Sequence, residues 1–125
     1  MPVIRQADCR RTETPNAVMT TLASPTQGGA RQAVWRVDMR PGQAGPPHAF
    51  DSDQVWTVLD GGATVELDGC PLAIARGDTI IMSAGTPRRV VADPDTGLAA
   101  IVAAPAGARA TLTDGTDKGV PAWIA

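Results

Sequence analysis

The sequence predicts an all-β single domain whose strands close on themselves or stack as two sheets. Three observations carry this. Short runs rich in β-branched residues recur every 8–12 residues or so, the spacing of sandwiches and barrels. Helical periodicity is hard to find anywhere in the chain. The segments between the runs carry Gly or Pro beside Asp or Ser, residues that supply turns for identifiable backbone reasons.

In chain order the expected strands are Ala17–Ala23, Gln32–Arg40, Gln54–Leu59, Ala63–Leu67, Leu72–Ala75, Thr79–Met82, Arg88–Ala92, Leu98–Ala103 and Arg109–Leu112. The turns between them include Ser24-Pro25-Thr26-Gln27-Gly28-Gly29, Arg76-Gly77-Asp78, Ala84-Gly85-Thr86-Pro87 and Asp93-Pro94-Asp95-Thr96-Gly97. Asp60-Gly61 and Asp68-Gly69 have the composition of tight hairpins. So many short strands in one domain must close or stack to protect their edges. Residues two apart share a strand face, so Gln54, Trp56 and Val58 point together. On the second run Ala33, Trp35, Val37 and Met39 form the face expected to be buried. The first dozen residues and the tail after Gly107 pattern poorly, which fits either packing across a dimer or mobility.

With 125 residues and 43% apolar composition, the chain has the size and content for one core. The 11 Lys and Arg nearly balance the 13 Asp and Glu, and Lys118 is the sole lysine. No basic stripe exists, so a nucleic-acid partner held through phosphates is not expected. The near-replacement of Lys by Arg, with abundant Ala, Gly and Pro, implies GC-rich coding and a bacterial source. Cys9 and Cys70 form no metal-type spacing and read as two reduced thiols. The start MPVIRQADCRRTE has no apolar signal region, and no apolar run approaches about 18 residues. A cytoplasmic protein with no membrane partner is expected.

Two spaced motifs carry a family resemblance. Gly42, five residues, His48, Ala49, Phe50, three residues, Gln54, six residues and Gly61 follow one pattern. Gly77, five residues, Ser83, Ala84, Gly85, Thr86-Pro87 and Arg88 follow a second, with Gly62 to Arg76 between them. In spacing and order these resemble the two motifs of the cupin superfamily, and small single-domain bacterial cupins in particular. The resemblance implies a jelly-roll β-sandwich barrel spanning 1–125, with its core at about 30–105. It also implies a homodimer, and a small-molecule ligand in the lumen.

The family's ligand positions, however, hold different chemistry. Where a typical metal-binding cupin supplies His, His, Glu and His, this chain supplies His48, Phe50, Gln54 and Arg88. One histidine and a neutral oxygen donor fall short of a zinc site or a two-His-one-carboxylate iron site. No metal or other cofactor is therefore expected. If a divalent metal were held, His48 and Gln54 would be its ligands.

The motif alignment puts His48, Gln54 and Arg88 forward as catalytic residues. His48 would be the acid/base, kept neutral by the nearby guanidinium. Arg88 would bind an anion or oxyanion and Gln54 would orient the substrate. Phe50, Trp56, Trp35 and Met39, with Arg88, are the expected substrate-binding residues. This set fits proton transfer next to a carbonyl, in a metal-independent or weakly metal-dependent isomerase, dehydratase or cyclase. Two alternatives stay open: a non-catalytic module that binds or senses a small acidic or aromatic ligand, and a metal-dependent cupin (zinc, iron or nickel) of polyketide-cyclase or dioxygenase type.

Each residue also has a plainer reading. His48 and Gln54 could serve only structural hydrogen bonds, and Trp35 and Trp56 could be core filling. Asp51, Asp53 and Asp78 suit turns in any case. Arg88 and Arg89 are adjacent, so a shift of one residue in register would exchange which of them faces inward.

Overall fold

The computed structural model describes residues 2–125. After a short 3₁₀ turn at Gln6–Asp8, eleven strands follow: β1 (Arg11–Glu13), β2 (Val18–Ala23), β3 (Gln32–Met39), β4 (His48–Phe50), β5 (Gln54–Leu67), β6 (Cys70–Ala75), β7 (Thr79–Met82), β8 (Arg88–Ala92), β9 (Leu98–Pro105), β10 (Ala110–Leu112) and β11 (Asp117–Gly119). All pairings between them are antiparallel. The hydrogen-bonded order is β1-β2-β3-β9-β5-β8-β4-β10-β11, with β6 and β7 also on β5. The sheet curls into the half-barrel of the jelly-roll class.

β5 makes the curl. Its first half pairs with β7 and β9, up to Gly61 opposite Leu98. Its second half, from Gly62, pairs with β6, and from Ala63 with β8. One strand thus serves two layers, β1-β2-β3-β9-β5-β7 and β6-β5-β8-β4-β10-β11. The expected hairpin at Asp60-Gly61 is corrected here: Gln54–Leu59 and Ala63–Leu67 are parts of one bent strand. The register slips between Val58 and Asp60, the mark of a bulge. Gly61 has φ 70°, and a Cβ there would collide with the carbonyl of Gly97. A Cβ on Gly62 would stand 2.7 Å from the carbonyl of Ile74. The glycines serve a sheet corner, where backbones crowd, rather than a chain reversal. Asp68-Gly69 is the true hairpin: both residues have positive φ, 51° and 78°, between the paired Leu67 and Cys70.

β1, β4 and β11 are absent from the sequence expectation. Each has three residues, too few to display alternation, and each exists because a neighbour pairs with it. The longer strands alternate as their side chains dictate. In β3, Ala33, Trp35, Val37 and Met39 are buried while their neighbours are not. In β5, Gln54, Trp56 and Val58 turn inward. These faces meet Val65 and Met82 (β5, β7) and Val90 and Ala92 (β8) in one core between the layers. Burying each large side chain there contributes about 1.5–3 kcal/mol.

The terminal segments pack on the chain's own barrel. Thr21 Oγ1 donates to the Trp123 carbonyl at 2.9 Å. Ser24, Thr26 and Arg10 side chains all donate to the oxygen of Ala125. Ile124 is fully buried. The tail therefore forms a wall beside β2, a role its weak pattern did not suggest. Cys9 and Cys70 are both free thiols. Among the described residues no helix is long and apolar enough to cross a membrane.

Candidate active site

A cavity of about 430 Å³ opens between the two layers. Its lining is mainly apolar, from Trp35, Val37 and Met39 on β3, Phe50 on β4, Trp56 on β5 and Val90 on β8. All three tryptophans of the chain border it, Trp123 from the C-terminal tail. His48 and Gln54 are its main inner polar groups. Phe50, Trp56, Trp35 and Met39 thus stand around one space with His48 and Gln54.

His48 opens β4, where it is the register partner of both Arg88 and Leu112. Its Nδ1 lies 2.8 Å from the carbonyl of Pro46. A carbonyl only accepts, so Nδ1 carries the proton and Nε2 keeps its lone pair. Among the described residues no group hydrogen-bonds Nε2. The ring meets Phe50 edge to face, with centroids 5.4 Å apart. Burial holds the imidazole below its ordinary value of 6.5; the Pro46 carbonyl opposes this, and Arg88 adds a smaller downward push. The sequence reading gave the guanidinium the main part, whereas desolvation has it.

Gln54 opens β5 and is 2% exposed. The Trp56 indole N–H donates to Gln54 Oε1 at 3.0 Å. An indole N–H can only donate, so the atom it meets is the oxygen, and the amide NH₂ is turned the other way. That Nε2 is buried with no partner. An unsatisfied buried donor costs about 1–3 kcal/mol, and native structures keep few of them. Trp56 is therefore both a wall of the cavity and the group that sets the direction of the Gln54 amide.

Arg88 is the inward arginine of the pair, 2% exposed. Arg89 lies outside, 3.9 Å from Glu66. Arg88 is not among the described residues that line the cavity, and its donors meet backbone carbonyls. Nε donates to Thr86 O at 3.1 Å, and Nη2 to Ser83 O and Thr86 O, both at 2.9 Å. These bonds wrap the side chain around the turn before β8 and hold it behind Phe50, 5.7 Å from that ring's centroid. Nη1 is buried without a partner. Burial lowers its pKa from the ordinary value, with Asp53 opposing, but a guanidinium stays charged at neutral pH. The aspartates near the motif do structural work: Asp53 accepts from Ala84 N–H, Asp51 from Arg109 N–H and Asp78 from Ala75 N–H.

The residues present do not fit a metal ion. Among the described residues no group of three or more His, Cys, Asp or Glu could hold one. His48 offers a single nitrogen, the Gln54 oxygen is turned toward Trp56, and a fixed cation stands behind Phe50.

Sequence reasoning missed the mouth of the cavity. Thr14 and Asn16 border it from the β1–β2 turn, and Leu112, Lys118, Pro121 and Trp123 from the C-terminal segments. Only Lys118 carried any signal, as the single lysine, and nothing in the pattern tied it to the site.

The family model described as "Cupin domain" matches residues 35–104. No curated protein matches the chain. Among solved structures it is similar to the polyketide cyclase RemF from Streptomyces resistomycificus, at 22% identity and a TM-score of 0.71, over 84% of this chain and 79% of that one. KdgF from Halomonas sp. is 20% identical with a TM-score of 0.69, over 84% and 94% of the two chains. An RmlC-like cupin from Shewanella frigidimarina is 18% identical with a TM-score of 0.70, over 85% and 92%. At these identities the likeness concerns the fold.

Proposed function

The chain belongs to the cupin family, and from that premise we propose that its cavity is the active site of a metal-independent enzyme acting by proton transfer next to a carbonyl. The observation that carries this reading is a pair: His48, with its Nε2 lone pair uncommitted, and the unpartnered Gln54 amide, both bordering one apolar cavity. His48 Nε2 takes the proton from the carbon beside the carbonyl. The electrons of that C–H bond form the enolate double bond, and the carbonyl π pair moves to oxygen. The Gln54 N–H donates to that oxygen as its charge develops. The Arg88 cation, held behind Phe50, favours the negative charge through space and disfavours premature protonation of His48. The imidazolium then returns its proton to another carbon for isomerisation, or to a departing hydroxyl for dehydration; attack of the enolate on a second carbonyl gives cyclisation. Phe50, Trp56, Trp35 and Met39 hold the substrate's flat apolar body. Similarity to a polyketide cyclase supports this reaction class, and the altered ligand positions support its metal independence.

A second reading, a non-catalytic binder of a small acidic or aromatic ligand, is favoured by the predominantly apolar lining. His48→Ala separates the two. Proton exchange at the α-carbon of ketone ligands, followed by NMR in D₂O, should fall about 10²–10⁴-fold if His48 is the base. Bound ketones that show no exchange even with the wild-type protein would mark a binder. The homodimer is also part of the proposal, supported by Val55 and Ile81, exposed register partners on the outer face of the first layer; sedimentation tests it.

A further inference from the structure

The cavity has two polar poles, and they face different surroundings. At the inner pole the Gln54 amide N–H is buried and unpartnered. At the mouth stands Lys118 on β11, the one Lys or Arg among the described residues that line the cavity. Among the described residues no Asp or Glu borders the cavity. Among the described residues no carboxylate lies within salt-bridge distance of Lys118. Its neighbour Asp117 is already committed to Arg109 at 2.8 Å. That ion pair, and the pairing of β11 with β10, fix the strand that presents the ammonium. β10 lies between β11 and β4, so Lys118 sits two strands from His48, about 10 Å across the sheet at ordinary strand spacing, and is offset along the strands because His48 pairs with Leu112 while Lys118 lies beside Ala110 and Thr111.

We propose that the site takes a keto acid: a flat, largely apolar carbonyl compound whose carboxylate pairs with Lys118 at the mouth while its carbonyl receives the Gln54 N–H inside. This rests on the proposed function for the inner pole and adds the substrate class and its orientation. The reacting α-carbon then faces His48, because the carboxylate sets which end enters first. Lys118 is a specificity-determining residue and touches only the end of the ligand remote from the chemistry. A lysine on an edge strand also discourages strand pairing between molecules, but that role needs no cavity and makes no demand on the ligand's charge.

The test is equilibrium binding, read from the fluorescence of the three cavity tryptophans, and needs no turnover. The probes are 4-acetylbenzoate and its uncharged counterpart 4′-methylacetophenone, at millimolar concentrations and low salt. Wild-type protein should prefer the acid by about 2- to 5-fold, as expected for one partly exposed ion pair. The preference should shrink as salt is added. Lys118→Gln should abolish it and leave methylacetophenone binding unchanged, Lys118→Arg should keep it, and Lys118→Glu should reverse it. A preference that survives in Lys118→Gln, or wild-type protein that binds the ketone at least as well as the acid, overturns the proposal, as does failure of both probes to bind. An altered sedimentation profile of Lys118→Gln with the preference intact would assign the residue to edge protection instead. His48→Ala should retain the acid preference, so loss of exchange without loss of preference separates failure of the catalytic reading from failure of this one.

Discussion

Trp56 Nε1–H donates to Gln54 Oε1 at 3.0 Å, two residues apart on one strand face, and so turns the Gln54 amide NH₂ the other way, where it meets no partner among the described residues. Both side chains are buried, and among the described residues neither has another side-chain hydrogen bond. Their energetics are therefore coupled. Trp56→Phe leaves Oε1 unsatisfied and should cost about 1–3 kcal/mol beyond the lost packing. Gln54→Leu strands the indole N–H in the same way. The double variant should be less destabilised than the sum of the two, a coupling of about 1 kcal/mol readable from urea midpoints. Simple additivity would mean that the pair does not act as a unit.

His48 makes stability depend on pH in one direction. Burial lowers its folded value beneath 6.5, so the unfolded chain binds the proton first as pH falls. Its contribution is complete above about 6.5 and is lost as pH drops through the folded value. Asp93, Asp114 and Asp117, all lowered from their ordinary 3.8, act only in more acid solution. Unfolding measured between pH 7 and 5 should show the decline in wild type and not in His48→Gln. Any α-proton exchange should have its acid limb below 6.5.

Arg88→Gln removes the donors that hold Ser83 O and Thr86 O. A loss of about 2–4 kcal/mol is expected from a buried, charged hydrogen-bond set. The same substitution should raise the His48 titration midpoint, because a nearby positive charge is gone. His48 is the only histidine, so its ring resonances report this without ambiguity. An unchanged midpoint would mean that the guanidinium exerts no field at the imidazole.

Gly61→Ala should destabilise by at least about 2 kcal/mol, since its φ of 70° disfavours a side chain and the new Cβ would strike the Gly97 carbonyl. Gly69→Asn should be nearly neutral: its φ is also positive, but nothing stands within 4 Å and Asn tolerates this region. Comparable thermal shifts for the two would remove the sheet corner as the reason for Gly61.

Removing metals should leave the chemistry intact. Protein treated with EDTA is expected to keep its full rate of α-proton exchange, and added zinc should not raise it, because one histidine and an engaged glutamine cannot replace a normal zinc ligand set. Exchange that disappears with EDTA and returns with zinc would refute metal independence.

How far these features could be read in advance varied with their range along the chain. Alternation needs only a strand and a water-excluding face, so the inward sets Trp35/Met39 and Gln54/Trp56 were legible. Motif spacing carried His48 and Phe50 to the same space, although their three-residue strand showed no pattern of its own. Gly61 looked like a hairpin because positive φ serves a turn and a sheet corner equally well; only the neighbouring Gly97 and Ile74 backbones distinguish them. Arg88 was legible as one of two candidates for the inward residue, but its hydrogen bonds were not, since its partners are carbonyls, which every residue has. Lys118 was invisible because it reaches the cavity through β10 and β4 and not through any local period.

The sequence by itself determined the all-β class, the cupin spacing and the replacement of metal ligands by Phe50, Gln54 and Arg88, because these depend on residue identity and short-range geometry. The tertiary structure decided what those side chains meet. It turned the Gln54 amide through Trp56, withdrew Arg88 behind Phe50 and brought Lys118 to the mouth. Hydrogen-bond direction and long-range strand pairing are settled only when distant backbone segments meet.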